Sequence, residues 1–261
     1  MSATPLDVLA IAAHRDDVEQ TCGGTLLKAA QRGQRTGILD LTQGEIGTRG
    51  TAEDRAREAA DAARILGAVW RRALDIPDGR VENTWENRVK VASVIRETRP
   101  RVVILPYWKG RHPDHYTASI LGYEAGFLAG LSKLALSSKP SAAGETNPGA
   151  ETVDKESKPL SPHRPFKIIY ATLYYDIRPT FVVDIGEQFE KKFASILAYK
   201  SQFSDQEAGK DLFPAHNEIR ARVDSMARFY GALGGVTYAE PFLQKEVGLV
   251  DDLLAIPVKS I

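Results

Sequence analysis

Short apolar runs alternate with longer amphipathic segments along the first half of this chain. Residues 6–13 and 101–106 form near-continuous apolar runs, which are typical of strands buried on both faces of a parallel sheet. Similar runs predict strands at 36–41 and 69–76. Apolar and alanine-rich patterns of helical spacing predict the intervening helices, at residues 19–31, 52–66, 83–98 and 116–135. Four strand–helix alternations predict an α/β fold with a mainly parallel sheet.

The pattern changes in the second half of the chain. Residues 137–161 are rich in Ser, Lys, Pro, Glu and Ala and lack apolar periodicity, which predicts a mobile excursion of about 25 residues. A partner-binding segment and a lid over the site are the alternatives. Beyond this excursion we expect two strands at the far edge of the sheet, then two helices and an extended tail. The strands are predicted at residues 167–173 and 180–184, and the helices at 185–202 and 218–233.

The composition is that of a globular protein that acts on small molecules. Hydrophobic residues make up 43% and charged residues 26% of the chain, as in ordinary globular domains. Basic and acidic residues both total 34, so the charge gives no support for a nucleic-acid or anionic-membrane partner. No apolar segment approaches the ~20 residues of a membrane span. We therefore expect one domain over residues 1–261, located in the cytoplasm.

The single cysteine, Cys22, limits the chemistry further. It excludes an intramolecular disulfide framework and a zinc site made of several cysteines. Its neighbours Thr21, Gly23 and Gly24 favour a small residue packed at a helix start. A redox thiol at a helix amino terminus is the alternative.

Two clusters of titratable residues follow the first and fourth predicted strands. His14-Arg15-Asp16-Asp17 follows the first strand and His112-Pro113-Asp114-His115 follows the fourth. Open α/β sheets bind ligands at the carboxyl ends of their strands. Glu45, Arg49 and Asp78, in the loops after the second and third strands, would line the same rim. The clusters can converge only if their strands are near neighbours.

The residue types in these clusters favour a mononuclear metal hydrolase. His14, Asp17 and either His112 or His115 would supply two nitrogens and one oxygen, which suits Zn²⁺. A hydrolytic zinc site uses three protein ligands and leaves a position for water, whose pKa the metal lowers toward ~7. Asp16, adjacent but not a ligand, is suited to accept the water proton as general base. The other histidines, His163 and His216, are interpreted as structural.

Other interpretations of these motifs have less support. Each cluster alone could be a helix cap, but the chain has only five histidines and the two clusters follow buried-type strands. The serine-hydrolase motif Gly-x-Ser-x-Gly is absent from the sequence. Residues 44–50 are glycine-rich without the spacing of a P-loop or a dinucleotide-binding loop. The competing class is a nucleotide-binding Rossmann module. In such a module a phosphate-binding loop would follow the first strand, where this chain has His-Arg-Asp-Asp instead.

At these positions the sequence resembles the LmbE-like, or PIG-L, family of zinc-dependent de-N-acetylases. The resemblance rests on Ala-His-x-Asp-Asp-x-Glu at 13–19, Gly-Gly-Thr-Leu at 23–26 and His-Pro-Asp-His at 112–115, and extends over nearly the whole chain. Further motifs resemble the branch of bacillithiol biosynthesis deacetylases. Among them, Tyr-Lys-Ser-Gln-Phe at 199–203 is more specific than the metal motif. The resemblance implies a Rossmann-like three-layer sandwich around a mainly parallel sheet.

The resemblance also implies which residues hold the metal. His14, Asp17 and His115 are expected to bind zinc, with Fe²⁺ as the alternative metal. Asp16 is expected to be the general base. Asp114 could orient an imidazole.

Other residues are implied to act on the substrate. His112, when protonated, is expected to stabilise the oxyanion and to help protonate the leaving amine. Tyr199 is expected to donate a hydrogen bond to the tetrahedral intermediate. Arg55 and Arg111 match positions around the substrate, where an arginine fork suits a carboxylate such as that of malate.

The implied reaction is removal of the N-acetyl group from an N-acetylglucosaminyl conjugate, with N-acetylglucosaminyl-malate as the first candidate. Conjugates of inositol, chitooligosaccharides and mercapturate-type thiols are alternatives, as is a non-catalytic sugar- or metal-binding module on the same fold. Relatives imply a homo-oligomer, with a hexamer as one candidate. The chain departs from the family pattern at Arg15, where many members have proline, and at 137–161, which exceeds the expected connection. Arg15 is interpreted either as a tolerated surface residue or as part of the rim.

Overall fold

A computed structural model describes residues 5–137, 159–174, 176–204 and 216–258. The predicted excursion at 137–161 falls almost entirely outside these ranges. Its two ends are described, and there Ser137 pairs with Pro159 in an antiparallel bridge. Ser137 and Pro159 are therefore neighbours in the fold.

As far as α4, strands and helices alternate in the order that the sequence predicts. The elements within the described residues are β1 (Val8–Ala12), α1 (Asp17–Gln31), β2 (Thr36–Asp40), α2 (Ala52–Leu66), β3 (Trp70–Ala73), α3 (Trp85–Thr98), β4 (Val102–Pro106), α4 (Pro113–Ala129), β5 (Lys167–Ala171), β6 (Phe181–Asp184), α5 (Phe189–Leu197), α6 (Lys200–Phe203), α7 (His216–Gly234) and β7 (Ala239–Leu243). A short 3₁₀ helix, Leu253–Ala255, follows β7.

The seven strands form one sheet in the order β3-β2-β1-β4-β5-β7-β6. The first five strands in this order are mutually parallel, whereas β7 runs antiparallel to both β5 and β6. The predicted mainly parallel sheet is confirmed. The strand order reverses between β1 and β4, and such a reversal is the point at which doubly wound sheets bind ligands.

Alternation along the strands explains the three layers. Successive side chains of a strand point to opposite faces. Leu9 and Ile11 of β1 pack into one buried cluster with residues of α3 and α4. Ala10 and Ala12 pack into a second cluster with residues of α1 and α2. The sheet is therefore covered by helices on both faces, as the three-layer prediction requires.

Strand β7 and the helix after β6 differ from the sequence-based expectation. The predicted placement of residues 167–173 at the far edge is wrong, because β5 pairs with β4 and the tail supplies β7 between β5 and β6. Pro241 lies within β7, opposite Val182, and proline ordinarily argues against an interior strand. The predicted helix at 185–202 is two helices, which are separated at Ala198 and Tyr199.

Helix α2 shows why some boundaries are predictable. Its amino terminus has a capping box in which Thr51 and Asp54 bind each other's backbone N–H groups. Its carboxyl terminus is followed by Gly67 with φ of 68°, a left-handed conformation that glycine adopts without a Cβ penalty. The predicted limits of 52–66 are confirmed. None of the helices in the described ranges has the length and apolar composition needed to span a bilayer.

Candidate active site

The two titratable clusters meet at the carboxyl end of the sheet. Strands β1 and β4 are hydrogen-bonded neighbours, so the loops that follow them lie side by side at the reversal of strand order. The first cluster ends in the first turn of α1, and the second forms the start of α4. The expected convergence is confirmed by this pairing.

His14, Asp17 and His115 bring two imidazole nitrogens and one carboxylate together in a small triangle, in which each carboxylate oxygen faces one of the nitrogens. His14 Nδ1 lies 3.2 Å from His115 Nε2 and 3.4 Å from Asp17 Oδ2, and His115 Nε2 lies 3.2 Å from Asp17 Oδ1. Ligands about 2.0–2.1 Å from a tetrahedral zinc lie about 3.3–3.4 Å from one another. The donor spacing and the two-nitrogen, one-oxygen set therefore fit a zinc ion.

The other ring nitrogen of His14 faces two carboxylates. His14 Nε2 lies 3.1 Å from Asp78 Oδ1 and 3.3 Å from Asp114 Oδ2. Asp114 is held in turn by the backbone N–H groups of Gly79, at 2.8 Å, and Val81, at 3.2 Å. A carboxylate in this position favours the tautomer protonated at Nε2, which leaves the Nδ1 lone pair directed at the triangle. Sequence reasoning placed Asp78 on the rim without this contact.

The same arrangement offers two other sets of ligands, one formed by His14, His112 and His115 and one formed by His14, Asp78 and Asp114. Both oxygens of Asp114 already accept backbone hydrogen bonds, so little of their lone-pair capacity is left for a metal. In the triangle one carboxylate oxygen, Asp17 Oδ2, accepts a backbone hydrogen bond, from the His14 N–H at 2.9 Å. Asp17 Oδ1 accepts none from the described residues, so the triangle keeps more donor capacity for a metal than the set that contains Asp114.

Electrostatics favour a cation at these residues. Burial alone would lower the pKa of His14, but hydrogen bonds with Asp114, Asp17 and Asp78 raise it to about 12. Burial would raise the pKa of Asp17, but the two neighbouring histidines hold it well below its usual range. The carboxylates thus stabilise positive charge on this cluster, and a divalent metal supplies such charge.

His112 lies beside the triangle. It is the N-cap residue of α4, and its Nδ1 accepts a hydrogen bond from the backbone N–H of Asp114 at 3.2 Å. The His112 and His115 rings are stacked, with centroids 4.8 Å apart. His112 is exposed, whereas His115 is half-buried. This geometry favours His115 as ligand and leaves His112 Nε2 available to an incoming substrate.

Asp16 pairs with two residues outside the triangle. Its Oδ1 accepts a hydrogen bond from Arg55 Nη2 at 3.2 Å, and its Oδ2 accepts one from Gln20 Nε2 at 3.3 Å. Burial raises the pKa of Asp16, with a further increase from the Asp17 charge and an opposing effect of Arg55. A carboxylate whose pKa is raised is a better proton acceptor than an ordinary one.

Arg55, predicted to bind substrate, is buried against Asp16 instead. Its guanidinium occupies the space where a Cβ of Gly44 would lie, and Gly44 has φ of 72°. A side chain at that position would displace the guanidinium and strain the backbone. The absence of a side chain at Gly44 thus lets Arg55 reach the proposed base. The position of Gly44 in the sequence does not indicate this contact between Arg55 and Asp16.

Tyr199 is not at the mouth of the site. Its side chain has no exposed surface. Its hydroxyl donates to the backbone carbonyl of Arg15 and lies 3.1 Å from Glu19 Oε1. This arrangement does not support a hydrogen bond from Tyr199 to a tetrahedral intermediate. The hydroxyl is buried beneath the loop of the first titratable cluster and already donates its hydrogen bond there.

A buried charge network, which sequence reasoning missed, lies beneath the same loop. The Arg71 guanidinium makes two hydrogen bonds with Asp40, at 2.8 and 2.9 Å, and one with Glu19 Oε1 at 2.6 Å. It also donates to the Arg15 carbonyl at 2.6 Å. Arg15 is itself buried and donates to the carbonyl of Ala52 at 2.6 Å. The interpretation of Arg15 as a surface residue is wrong, because its side chain joins the loop to the start of α2.

Arg111 and Cys22 complete the predicted set. Arg111 is exposed, and its backbone N–H donates to the Tyr174 hydroxyl at 2.9 Å. It lies at the edge of a cleft beside the cluster. Cys22 is buried at a kink inside α1 rather than at the helix start, and burial raises the pKa of its thiol to about 12. Such a thiol is unsuited to redox chemistry.

The family model of the PIG-L GlcNAc-PI de-N-acetylases matches residues 9–125 of this chain. These residues contain both titratable clusters and the strands that carry them. The match therefore falls on the part of the fold that builds the site.

Curated relatives extend the likeness beyond that segment. The diacetylchitobiose deacetylase of Thermococcus kodakarensis is 32% identical over 89% of this chain and 80% of its own length. A 1D-myo-inositol 2-acetamido-2-deoxy-alpha-D-glucopyranoside deacetylase of Saccharopolyspora erythraea is 27% identical over 76% of this chain and 78% of its own length. Among solved structures, a conserved protein from Thermus thermophilus superposes with a TM-score of 0.75 and 38% identity, covering 94% of this chain and 98% of that one.

Proposed function

This chain belongs to the PIG-L family of deacetylases, and on that premise we propose that it removes the N-acetyl group from an N-acetylglucosaminyl conjugate with the help of zinc. Family membership makes it a hydrolase of amide bonds. The first candidate substrate is N-acetylglucosaminyl-malate, an intermediate of bacillithiol biosynthesis. The observation that carries the proposal is the triangle of His14, Asp17 and His115 beside a carboxylate that takes no part in it.

The metal would polarise the amide carbonyl and lower the pKa of a water molecule. Asp16 would take the proton of that water, since it is the neighbour of Asp17 in the chain and burial raises its own pKa. Arg55 and Gln20 hold its two oxygens and so restrict its orientation. His112 has its Nδ1 bound to the α4 backbone, which leaves Nε2 as the atom that can donate to the oxyanion and the leaving amine.

The relatives support the sugar more directly than the group attached to it. Diacetylchitobiose and an inositol glycoside are named for two relatives, and both contain an N-acetylated glucosamine. The malate conjugate rests on the family resemblance of the motif at 199–203 and on Arg111, which is exposed beside the cluster. Chitooligosaccharides, inositol glycosides and thiol conjugates are therefore tested beside it.

A deacetylation assay of the purified, zinc-loaded protein tests this function. The panel contains N-acetylglucosaminyl-malate, an N-acetylglucosaminyl-inositol, diacetylchitobiose and a mercapturate. We expect acetate release from at least one glucosamine conjugate, its loss after chelation and its return on addition of Zn²⁺; Fe²⁺ in a parallel arm identifies the preferred metal. Turnover of none of the conjugates, with zinc bound at one equivalent, would favour the non-catalytic binding module instead.

Some expectations stay predictions at this point. They are the homo-oligomeric state, with a hexamer as one candidate, the cytoplasmic location and the absence of a nucleic-acid partner. Light scattering of the purified protein measures the first of these directly.

A further inference from the structure

The segment that follows β7 carries apolar side chains with almost no cover from the rest of the fold. We call residues 246–258 the arm. Four of its apolar side chains are each between 82% and 97% exposed, those of Val247, Leu249, Leu253 and Leu254. The backbone hydrogen bonds of residues 252–258 join residues of the arm to one another. Exposed apolar side chains gathered in one segment mark a site of association with another molecule.

The arm starts from an anchored residue. Lys245, directly before it, places its Nζ over three aromatic rings. The distances to the ring centroids are 4.4 Å for Tyr123, 5.0 Å for Tyr170 and 5.1 Å for Trp108. A cation over aromatic faces at these distances is attracted by each ring. The arm therefore leaves the fold at a fixed place, whereas chain ends that nothing ties down are poorly ordered.

A groove of about 970 Å³ lies beside this anchor, between α4 and the start of β5. Its lining includes the rings of Phe127, which is 55% exposed, and Phe166, which is 78% exposed. We call it the Phe127–Phe166 groove. Val247 and Leu249 lie along its edge, whereas Leu253 and Leu254 lie outside it and remain exposed. The groove offers the apolar surface that the arm lacks, but the arm of the same chain does not fill it.

The groove has a net positive charge. Arg88 and Glu124 pair across 2.9 Å and neutralise each other. Arg164 lies over the Phe127 ring at 4.7 Å, and Lys167 lies over the Phe166 ring at 5.8 Å. Glu246, the first residue of the arm, is the other charged residue of the lining. One carboxylate against these two cations leaves the groove positive.

The arm carries the complementary charge. It contains three carboxylates and no basic side chain, and Asp251 and Asp252 are exposed. A positive groove attracts such a segment, whereas the negative surface of an anionic membrane repels it. Residues 250–258, when extended, reach about 30 Å, which is enough to enter the groove of a neighbouring molecule.

We propose that the arm of one molecule docks into the Phe127–Phe166 groove of a second copy of this chain, and that the second copy docks its own arm in return. One chain supplies both halves of the contact, so a two-fold arrangement covers both arms and both grooves at once. The inference goes beyond the proposed function, because it involves neither titratable cluster and its test needs no substrate.

The double variant Leu253→Ser, Leu254→Ser tests the arm. Both side chains are exposed within one chain, so the fold should persist, and circular dichroism checks this. We expect the Kd for self-association, measured by sedimentation equilibrium, to rise about a hundredfold. Leu233→Ser is the matched control, since Leu233 is a 60% exposed leucine of α7 that does not line the groove; its Kd should equal that of the wild type. A monomeric wild type, or an unchanged Kd in the double variant, would overturn the proposal.

Charge reversal on both sides tests the groove. Asp251→Lys with Asp252→Lys makes the arm basic, and Arg164→Glu with Lys167→Glu makes the groove acidic. Each double variant alone should associate about tenfold more weakly than the wild type, because like charges then meet. An equimolar mixture of the two should associate as tightly as the wild type, since each arm then finds a groove of opposite charge on the other variant.

The mixture also separates this contact from other occupants of the groove. A mixture that stays dissociated would overturn the proposal, because an arm that folds onto its own groove, or binds elsewhere, gains nothing from the second variant. Flotation of the wild type with neutral phosphatidylcholine vesicles, lost in Leu253→Ser, Leu254→Ser, would assign the arm to a membrane surface and overturn the proposal as well.

Discussion

The hydroxyl of Tyr199 donates a hydrogen bond to the backbone carbonyl of Arg15, in the middle of the metal-binding loop. Arg71 donates to the same carbonyl at 2.6 Å. Two buried donors on one oxygen fix the peptide that joins Arg15 to Asp16, and the orientation of this peptide directs the Asp16 side chain. We therefore expect Tyr199 to act as a positioning residue for the proposed base.

Tyr199→Phe should separate positioning from direct catalysis. Loss of one buried hydrogen bond should lower the free energy of unfolding by about 1–2 kcal/mol. We expect kcat to fall less than tenfold, because Arg71 still holds the Arg15 carbonyl. Loss of an oxyanion donor would instead cost about 10²–10³ in kcat with little change in stability. Denaturant unfolding and steady-state kinetics on the same preparation measure both quantities.

Tyr170→Phe is the matched control for this substitution. Tyr170 is equally buried, and its hydroxyl has no hydrogen-bond partner among the described residues. Its removal should leave stability unchanged or slightly increased, because an unpaired buried hydroxyl carries a desolvation penalty. Equal destabilisation by the two substitutions would contradict the anchoring role of Tyr199.

The sequence predicts the catalytic cluster better than the residues that support it. His14, Asp17 and the pair of His112 and His115 are found because they follow apolar strands, and parallel strands bring their carboxyl ends to one edge. The choice of His115 over His112 as ligand comes from the family resemblance. Arg55 and Tyr199 are found only through the family resemblance, which associates both with the substrate. Their contacts with Asp16 and Arg15 depend on how α2 and α5 pack, and no local pattern encodes that packing.

Asp16→Asn tests the general base. The amide keeps the hydrogen bond with Arg55 on one oxygen but cannot accept a proton, so kcat should fall by about 10²–10⁴. Zinc content, measured by atomic absorption, should stay at the wild-type value, since Asp16 lies outside the triangle. Near-wild-type turnover would refute the assignment, and loss of zinc would make Asp16 a ligand.

His112→Ala and His115→Ala together test the choice of ligand. His115→Ala removes one corner of the triangle and should abolish stoichiometric zinc binding. His112→Ala should retain zinc and lose kcat, because an imidazole aimed at the substrate is removed. The reverse pattern, with zinc lost in His112→Ala and kept in His115→Ala, would exchange the two roles.

Asp114→Asn tests the residue that orients His14. An amide is a weaker acceptor for His14 Nε2–H, and substitutions of this kind typically lower metal affinity by about 10–100-fold. Competition with a chromophoric chelator measures the zinc Kd. If Asp114→Asn abolishes zinc binding while His115→Ala preserves it, the metal belongs to the set formed by His14, Asp78 and Asp114.

The far half of the sheet shows where sequence patterns fail. Residues 239–243 of β7 contain Glu240 and Pro241, so neither apolar alternation nor β-propensity predicts an interior strand. In the structure, specific hydrogen bonds hold Glu240 in this interior strand. Glu240 accepts hydrogen bonds from the backbone N–H groups of Gly24 and Thr25, at 2.8 and 2.7 Å, where the kink at Cys22 interrupts α1.

The buried pair of Glu240 and Lys192 should therefore hold β7, α5 and the kink of α1 together. Lys192 Nζ lies 2.6 Å from Glu240 Oε1 and 2.7 Å from the carbonyl of Gln20. Glu240→Gln leaves the ammonium buried without its counter-charge, and breaking a buried pair in this way costs about 3–5 kcal/mol. Denaturant unfolding should show this loss.

The double variant Lys192→Met, Glu240→Gln provides the matched comparison. It removes both charges, so its stability should exceed that of Glu240→Gln, and a double-mutant cycle measures the coupling between the two residues. Because the Gln20 carbonyl binds Lys192 and the Gln20 side chain binds Asp16, we also expect Glu240→Gln to lower kcat. Additive losses of stability in the cycle, with kcat unchanged, would show that this pair has no part in supporting the site.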